Sequence, residues 1–188
     1  MKKYYEFLRK ETNASELIEF LQKNGFSLQP PIDIENILNF LELNYHSNPD
    51  FRQIKITGSI TVRENEPLIW ANPFENKFKE RKRFTLAHEL GHFMLHVAPQ
   101  GDFSNFSPFT DKIISFNRDD NWNYKEMEAN AFAAQLLMPA HLIENEVKSL
   151  IGLQQNMTKE QVVEHLANKF NVSTQAMEFR LIKLGVLL

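Results

Sequence analysis

Residues 84–96 read Phe-Thr-Leu-Ala-His-Glu-Leu-Gly-His-Phe-Met-Leu-His, and the spacing of their histidines decides how the rest of the chain must be organised. His88 and His92 are four residues apart. On a helix such residues share one face, about 6 Å apart along the axis, so two imidazoles converge on one ion at about 2.0–2.1 Å each. Glu89, turned about 100° from His88, reaches a water on that ion without being a ligand. A lone histidine on an amphipathic helix is usually a packing residue, but the complete H-E-x-x-H pattern predicts a zinc site with Glu89 as general base. Gly91 within the motif costs about 1 kcal/mol against Ala in a helix, which predicts a close-packed neighbour there.

A catalytic zinc takes three protein ligands and leaves a fourth position for water. His96 fails as the third, because on one helix it lies about 12 Å from His88 along the axis. The longer metzincin pattern fails too, since Leu95 and Ala98 stand where it needs Gly and His. A carboxylate from another helix is therefore expected, and Glu126 and Glu128 enter the apolar segment Ala129–Leu137. Glu126 is the expected ligand. Asn130 lies one turn on from it, where its amide can accept the spare N–H of a zinc-bound histidine.

Composition agrees with this assignment. The chain has 188 residues, no cysteine and a formal net charge of −3, so any metal must sit on histidine and carboxylate, and neither nucleic acid nor an anionic membrane is expected as main partner. Its length predicts a single metallopeptidase domain over residues 1–188, with the core at about 30–140 and a C-terminal helical segment at about 157–188. The absence of a signal-like or membrane-spanning apolar run predicts a cytoplasmic protein.

Outward from the motif, helices are predicted at 13–23, with Asn13 and Glu16 forming a capping box, and from Asp33 to about Asn44. Ile54, Ile56, Gly58, Ile60 and Val62 alternate with polar residues, and Leu68–Trp70 return after a turn at 64–67, giving a hairpin. The motif helix spans 78–96, and Pro99 follows its end. A short third strand is expected at Lys112–Phe116 and a deeply buried helix at Asn123–Met138, followed by a polar connection. Two last helices begin after Thr158 and Ser173. Together these predict an α+β fold with a small antiparallel sheet packed on helices and a C-terminal pair that looks like a helix-turn-helix.

Arg83–His92, RFTLAHELGH, with Glu126–Pro139, EMEANAFAAQLLMP, resembles the ImmA/IrrE family of metallo-endopeptidases. The resemblance implies a zincin-like fold, zinc on His88, His92 and Glu126, Asn130 beside it, and Glu89 as base. It further implies action in bacteria or their mobile elements, on a helix-turn-helix transcriptional repressor as protein substrate. The hairpin is expected either to offer an edge for an extended peptide or to be ordinary core sheet. Tyr45, Tyr124 and His141 are conceivable oxyanion donors, none singled out. Two alternatives are a regulatory protein that keeps the metal and binds without cutting, and a DNA-binding regulator using the last two helices through Lys169, Arg180 and Lys183.

Overall fold

The computed structural model describes residues 2–64, 66–101, 103, 109–112, 120–152 and 157–187. Helix α1 (Ala14–Lys23) starts where expected: the Asn13 side chain accepts the amides of Ser15 and Glu16, and Glu16 returns a bond to the Asn13 amide. Helix α2 (Ile34–Leu41) is capped by Asp33, and Ile34, Ile37, Leu38 and Leu41 are fully buried. It ends earlier than its periodicity predicts. Glu42 takes a left-handed conformation (φ 60°) that closes the last turn onto the Asn39 and Leu38 carbonyls. The chain is thereby redirected into strand β1 (Asn44–His46).

Strands β2 (Ile56–Arg63) and β3 (Glu66–Ala71) form the expected antiparallel hairpin, with Ile60 opposite Ile69 and Gly58 opposite Ala71. The sheet is nevertheless mixed, which corrects the antiparallel expectation: β1 runs parallel to β3, with Tyr45 opposite Ile69. Three residues are too few to show a period of two, so β1 leaves no pattern of its own. Strand β4 (Phe109–Lys112) pairs antiparallel with β2, giving the order β1-β3-β2-β4. It lies earlier than the predicted third strand, of which only Lys112 falls within the described residues. The hairpin is thus flanked by β1 along Leu68–Trp70 and by β4 along Ile56–Ile60, so these stretches are interior sheet.

Helix α3 (Lys79–His92) continues into a π-helical turn, Phe93–Val97. Its partner is α4 (Asp120–Leu137). Gly91 gives the contact its reason: a Cβ there would lie 3.2 Å from Cα and O of Ala129 and from Cβ of Phe132. The absent methyl lets the two helices approach, and overfilling such a seam costs about 1–3 kcal/mol. Helix α4 is buried on one side only, through Ala129, Phe132, Ala133, Leu136 and Leu137, while Asn130 is exposed and Ala131 and Ala134 are half-buried. Burial all round, expected from composition, fails because alanine is compatible with either surface.

A further helix, α5 (Ala140–Gly152), replaces the predicted polar connection. Ile143, Val147 and Leu150 supply a helical stripe that its charged residues mask. Helices α6 (Lys159–Phe170) and α7 (Thr174–Lys183) begin at Thr158 and Ser173, whose side chains cap them. Leu166, Ala167, Phe170, Met177 and Leu181 form a second apolar cluster with Met138 and Ile143. Helices α1–α4 and the sheet share the larger one. Among the described residues no helix is long and apolar enough to cross a membrane.

Candidate metal centre

The packing of α3 on α4 brings three of the sequence-selected side chains together. The Nε2 atoms of His88 and His92 are 3.0 Å apart, and the Glu126 carboxylate lies 3.3 Å from the first and 3.2 Å from the second. These separations suit one small cation: four ligands set tetrahedrally about 2.0–2.1 Å from a centre stand about 3.3 Å from one another. His88, His92 and Glu126 form the group among the described residues able to supply such a donor set.

The electrostatics favour the same occupant. His88 Nδ1 is 3.1 Å from Asn130 Oδ1; a carbonyl oxygen only accepts, so Nδ1 carries the proton and donates, leaving Nε2 with its lone pair turned toward the cluster. Burial pushes the His92 imidazole down to about 4, against the opposing effect of the Glu126 carboxylate, which accepts from it. Burial alone would raise Glu126, but the two imidazoles that face it, His88 and His92, hold the carboxyl at about 2. An ionised Glu126 carboxylate beside a neutral His92 imidazole is the protonation state a divalent cation requires. Buried lone pairs this close repel unless a proton or cation lies between them, so the residues fit a metal.

Glu89 is fully buried, with its carboxylate against Gly58 of β2. A Cβ on Gly58 would sit 2.6 Å from Glu89 Oε1 and 2.6 Å from Thr85 Cγ2, so glycine at this strand position is what admits the carboxylate. Thr85 donates to Asn76 Oδ1 at 2.6 Å. Asn76 in turn donates to the carbonyls of Thr57 and Asn72 at 2.8 Å each. Asn72, wholly buried, donates to the Ile56 carbonyl at 2.6 Å. This amide chain fixes the start of β2 against α3, and thereby the wall beside Glu89. Nothing in the spacing marked Asn72, Asn76 or Gly58 as neighbours of Glu89.

One turn beyond the cluster, His96 Nε2 lies 3.8 Å from Glu128 and 3.4 Å from the Lys125 carbonyl. Glu128, the alternative ligand, thus meets His96 and lies apart from the three-donor group. Tyr124 and His141 are exposed, and Tyr45 donates to Glu35 at 3.4 Å. Arg83 is buried and donates to the carbonyls of Ile32 (2.6 Å), Phe170 (3.0 Å) and Asn171. It ties the motif helix to the turn before α7. Of the C-terminal cations, Lys169 pairs with Glu146 at 2.7 Å, Arg180 is buried with Nε donating to the Met138 carbonyl at 3.0 Å, and Lys183 is exposed. Two of the three are therefore engaged within the fold rather than offered to a duplex.

A family model described as Peptidase_M78, the IrrE N-terminal-like domain, matches residues 48–182. No curated protein matches the chain.

Proposed function

Because the chain belongs to this Peptidase_M78 family, the IrrE N-terminal-like domain, we propose that it is a zinc-dependent endopeptidase whose ion is held by His88, His92 and Glu126. The observation that carries the proposal is the convergence of three side chains: the two imidazole Nε2 atoms are 3.0 Å apart, and the two Glu126 carboxylate oxygens lie 3.3 Å from His88 Nε2 and 3.2 Å from His92 Nε2 respectively. Imidazole and carboxylate donors with tetrahedral spacing suit zinc among the common divalent ions. When bound, such an ion supplies Lewis acidity to the scissile carbonyl and to the attacking water.

The remaining chemistry belongs to the chain. Glu89 takes a proton from the water as its oxygen bonds to the carbonyl carbon, then delivers that proton to the nitrogen as the C–N bond breaks. Asn130 holds the His88 ring in the tautomer that leaves Nε2 free. The buried wall of Gly58 and Thr85 keeps the Glu89 carboxylate in one orientation, so its proton transfers need no rearrangement. A zincin-like core and one domain over the whole chain belong to the same proposal, supported by the bonds that Arg83 makes to Ile32, Phe170 and Asn171. The substrate we propose is a helix-turn-helix transcriptional repressor, on the strength of the family resemblance.

The test is incubation of the zinc-loaded chain with helix-turn-helix repressors encoded beside it and with an unfolded general substrate, followed by mass analysis of the products. Cut products that vanish in Glu89→Gln, while bound zinc stays stoichiometric, are expected. Equal product from Glu89→Gln and the unaltered chain would remove Glu89 from the mechanism. Zinc that binds without any cleavage would leave a regulatory binding protein.

A further inference from the structure

A groove of about 1050 Å³ starts at His88 and runs between α3, α4 and α7. Its walls are unlike its surroundings. Phe78 on one side and Phe179 on the other are 72% and 66% exposed, although large aromatic side chains are normally buried. Ala131 and Ala134 of α4 line the space between them. Small side chains there leave room that larger ones would fill.

Arg180 also lines this groove, and it is only 8% exposed. The bond from its Nε to the Met138 carbonyl uses one of the five guanidinium N–H donors. Buried cations are ordinarily matched by a carboxylate. Burial lowers both guanidinium groups, but Asp33 and Glu80 act against it at Arg83, whereas among the described residues no acidic side chain is seen to do so at Arg180. Lys183, one turn on from Arg180, and Arg81 add positive charge to the same lining. Glu80 is its acidic member, and Arg81 is shared with Glu75 at 3.7 Å.

We propose that this groove binds a segment of the protein substrate carrying a bulky apolar side chain, seated between Phe78 and Phe179, beside an Asp or Glu side chain that bonds Arg180 and Lys183. The assignment rests on the peptidase proposal for its register, since the groove opens at His88. Its chemistry rests on the groove alone. Helix α7 is then a specificity wall of the cleft, held to the motif helix by Arg83 and to the end of α4 by Arg180.

Binding is measured separately from cleavage, on the zinc-loaded Glu89→Gln chain, by fluorescence anisotropy of end-blocked twelve-residue peptides. All contain one Phe, and they differ in carrying Glu, Gln or Lys beside it; a further Gln peptide has a free C-terminal carboxylate. Glu peptides are expected to bind about tenfold tighter than Gln peptides, the size of a charge-assisted hydrogen-bond pair. Arg180→Gln should bring that preference within about twofold, and Lys183→Glu, an exposed change that spares the core, should weaken Glu peptides by about threefold or more. Equal binding of Glu and Gln peptides, or a Glu preference unmoved by both substitutions, overturns the assignment. Preference confined to the free-carboxylate peptide overturns it as well and makes the groove a terminus-binding site. Cleavage of the same peptides by the unaltered chain separates the two proposals: Arg180-dependent binding without cutting refutes the peptidase alone, and cutting without acidic preference refutes the groove alone.

Discussion

Helices α3 and α4 meet through histidine and glutamate at two successive levels, yet the two meetings differ in kind. At the first, His88 and His92 share Glu126, with donor atoms 3.0–3.3 Å apart. At the second, His96 faces Glu128 at 3.8 Å and also approaches the Lys125 carbonyl. The same two residue types, one turn apart, give a three-donor cluster in one place and a simple pair in the other. The π-helical turn at Phe93–Val97 intervenes and resets the phase of His96. What separates a metal site from a polar contact is thus the third donor and the distance, and residue type alone does not supply either.

Several substitutions test that contrast, and the largest effect is expected where a donor is removed. His92→Ala and Glu126→Ala should each lower zinc affinity by more than the roughly 100-fold typical of supporting residues, with loss of cleavage, measured by competition against a chromophoric chelator. Glu89→Gln is next: hydrolysis should fall by about 10²–10⁴-fold while the metal content stays whole. A third substitution, Gly58→Ala, introduces a Cβ 2.6 Å from Glu89 Oε1. Displacing a reacting group by about 1 Å costs about 100-fold in rate, so activity should drop with zinc retained; unchanged kcat/KM would show that Glu89 has room to spare.

Asn130→Ala should weaken zinc binding by about 10–100-fold, because the His88 ring loses its orienting acceptor. The smallest effect belongs to the second meeting. His96→Ala and Glu128→Ala are expected to leave zinc affinity within about twofold, because neither side chain belongs to the three-donor group. If His96→Ala strips the ion as completely as His92→Ala, the distinction between the two levels is wrong.

The amino-acid order alone determined the part of this protein governed by local geometry. A four-residue spacing fixes two imidazoles on one helical face, capping residues mark the starts of α1, α2, α6 and α7, and a period of two marks β2. Asn130 at one turn from Glu126 was enough to prefer that carboxylate over Glu128, because i and i+4 on a helix face the same neighbour. The local pattern misled where it was short or masked: β1 has three residues, and the charges of α5 hide its apolar stripe.

Only the tertiary structure decided the rest. Gly58 belongs to β2 and Thr85 and Glu89 to α3, and the contact between the two elements depends on an amide chain through Asn72 and Asn76 that no spacing encodes. Arg180 likewise reads as a surface cation of a helix-turn-helix until packing buries it against the Met138 carbonyl. Local rules act over one or two turns of chain, whereas the burial that gives a charge or a carboxylate its chemistry is set by residues tens of positions away.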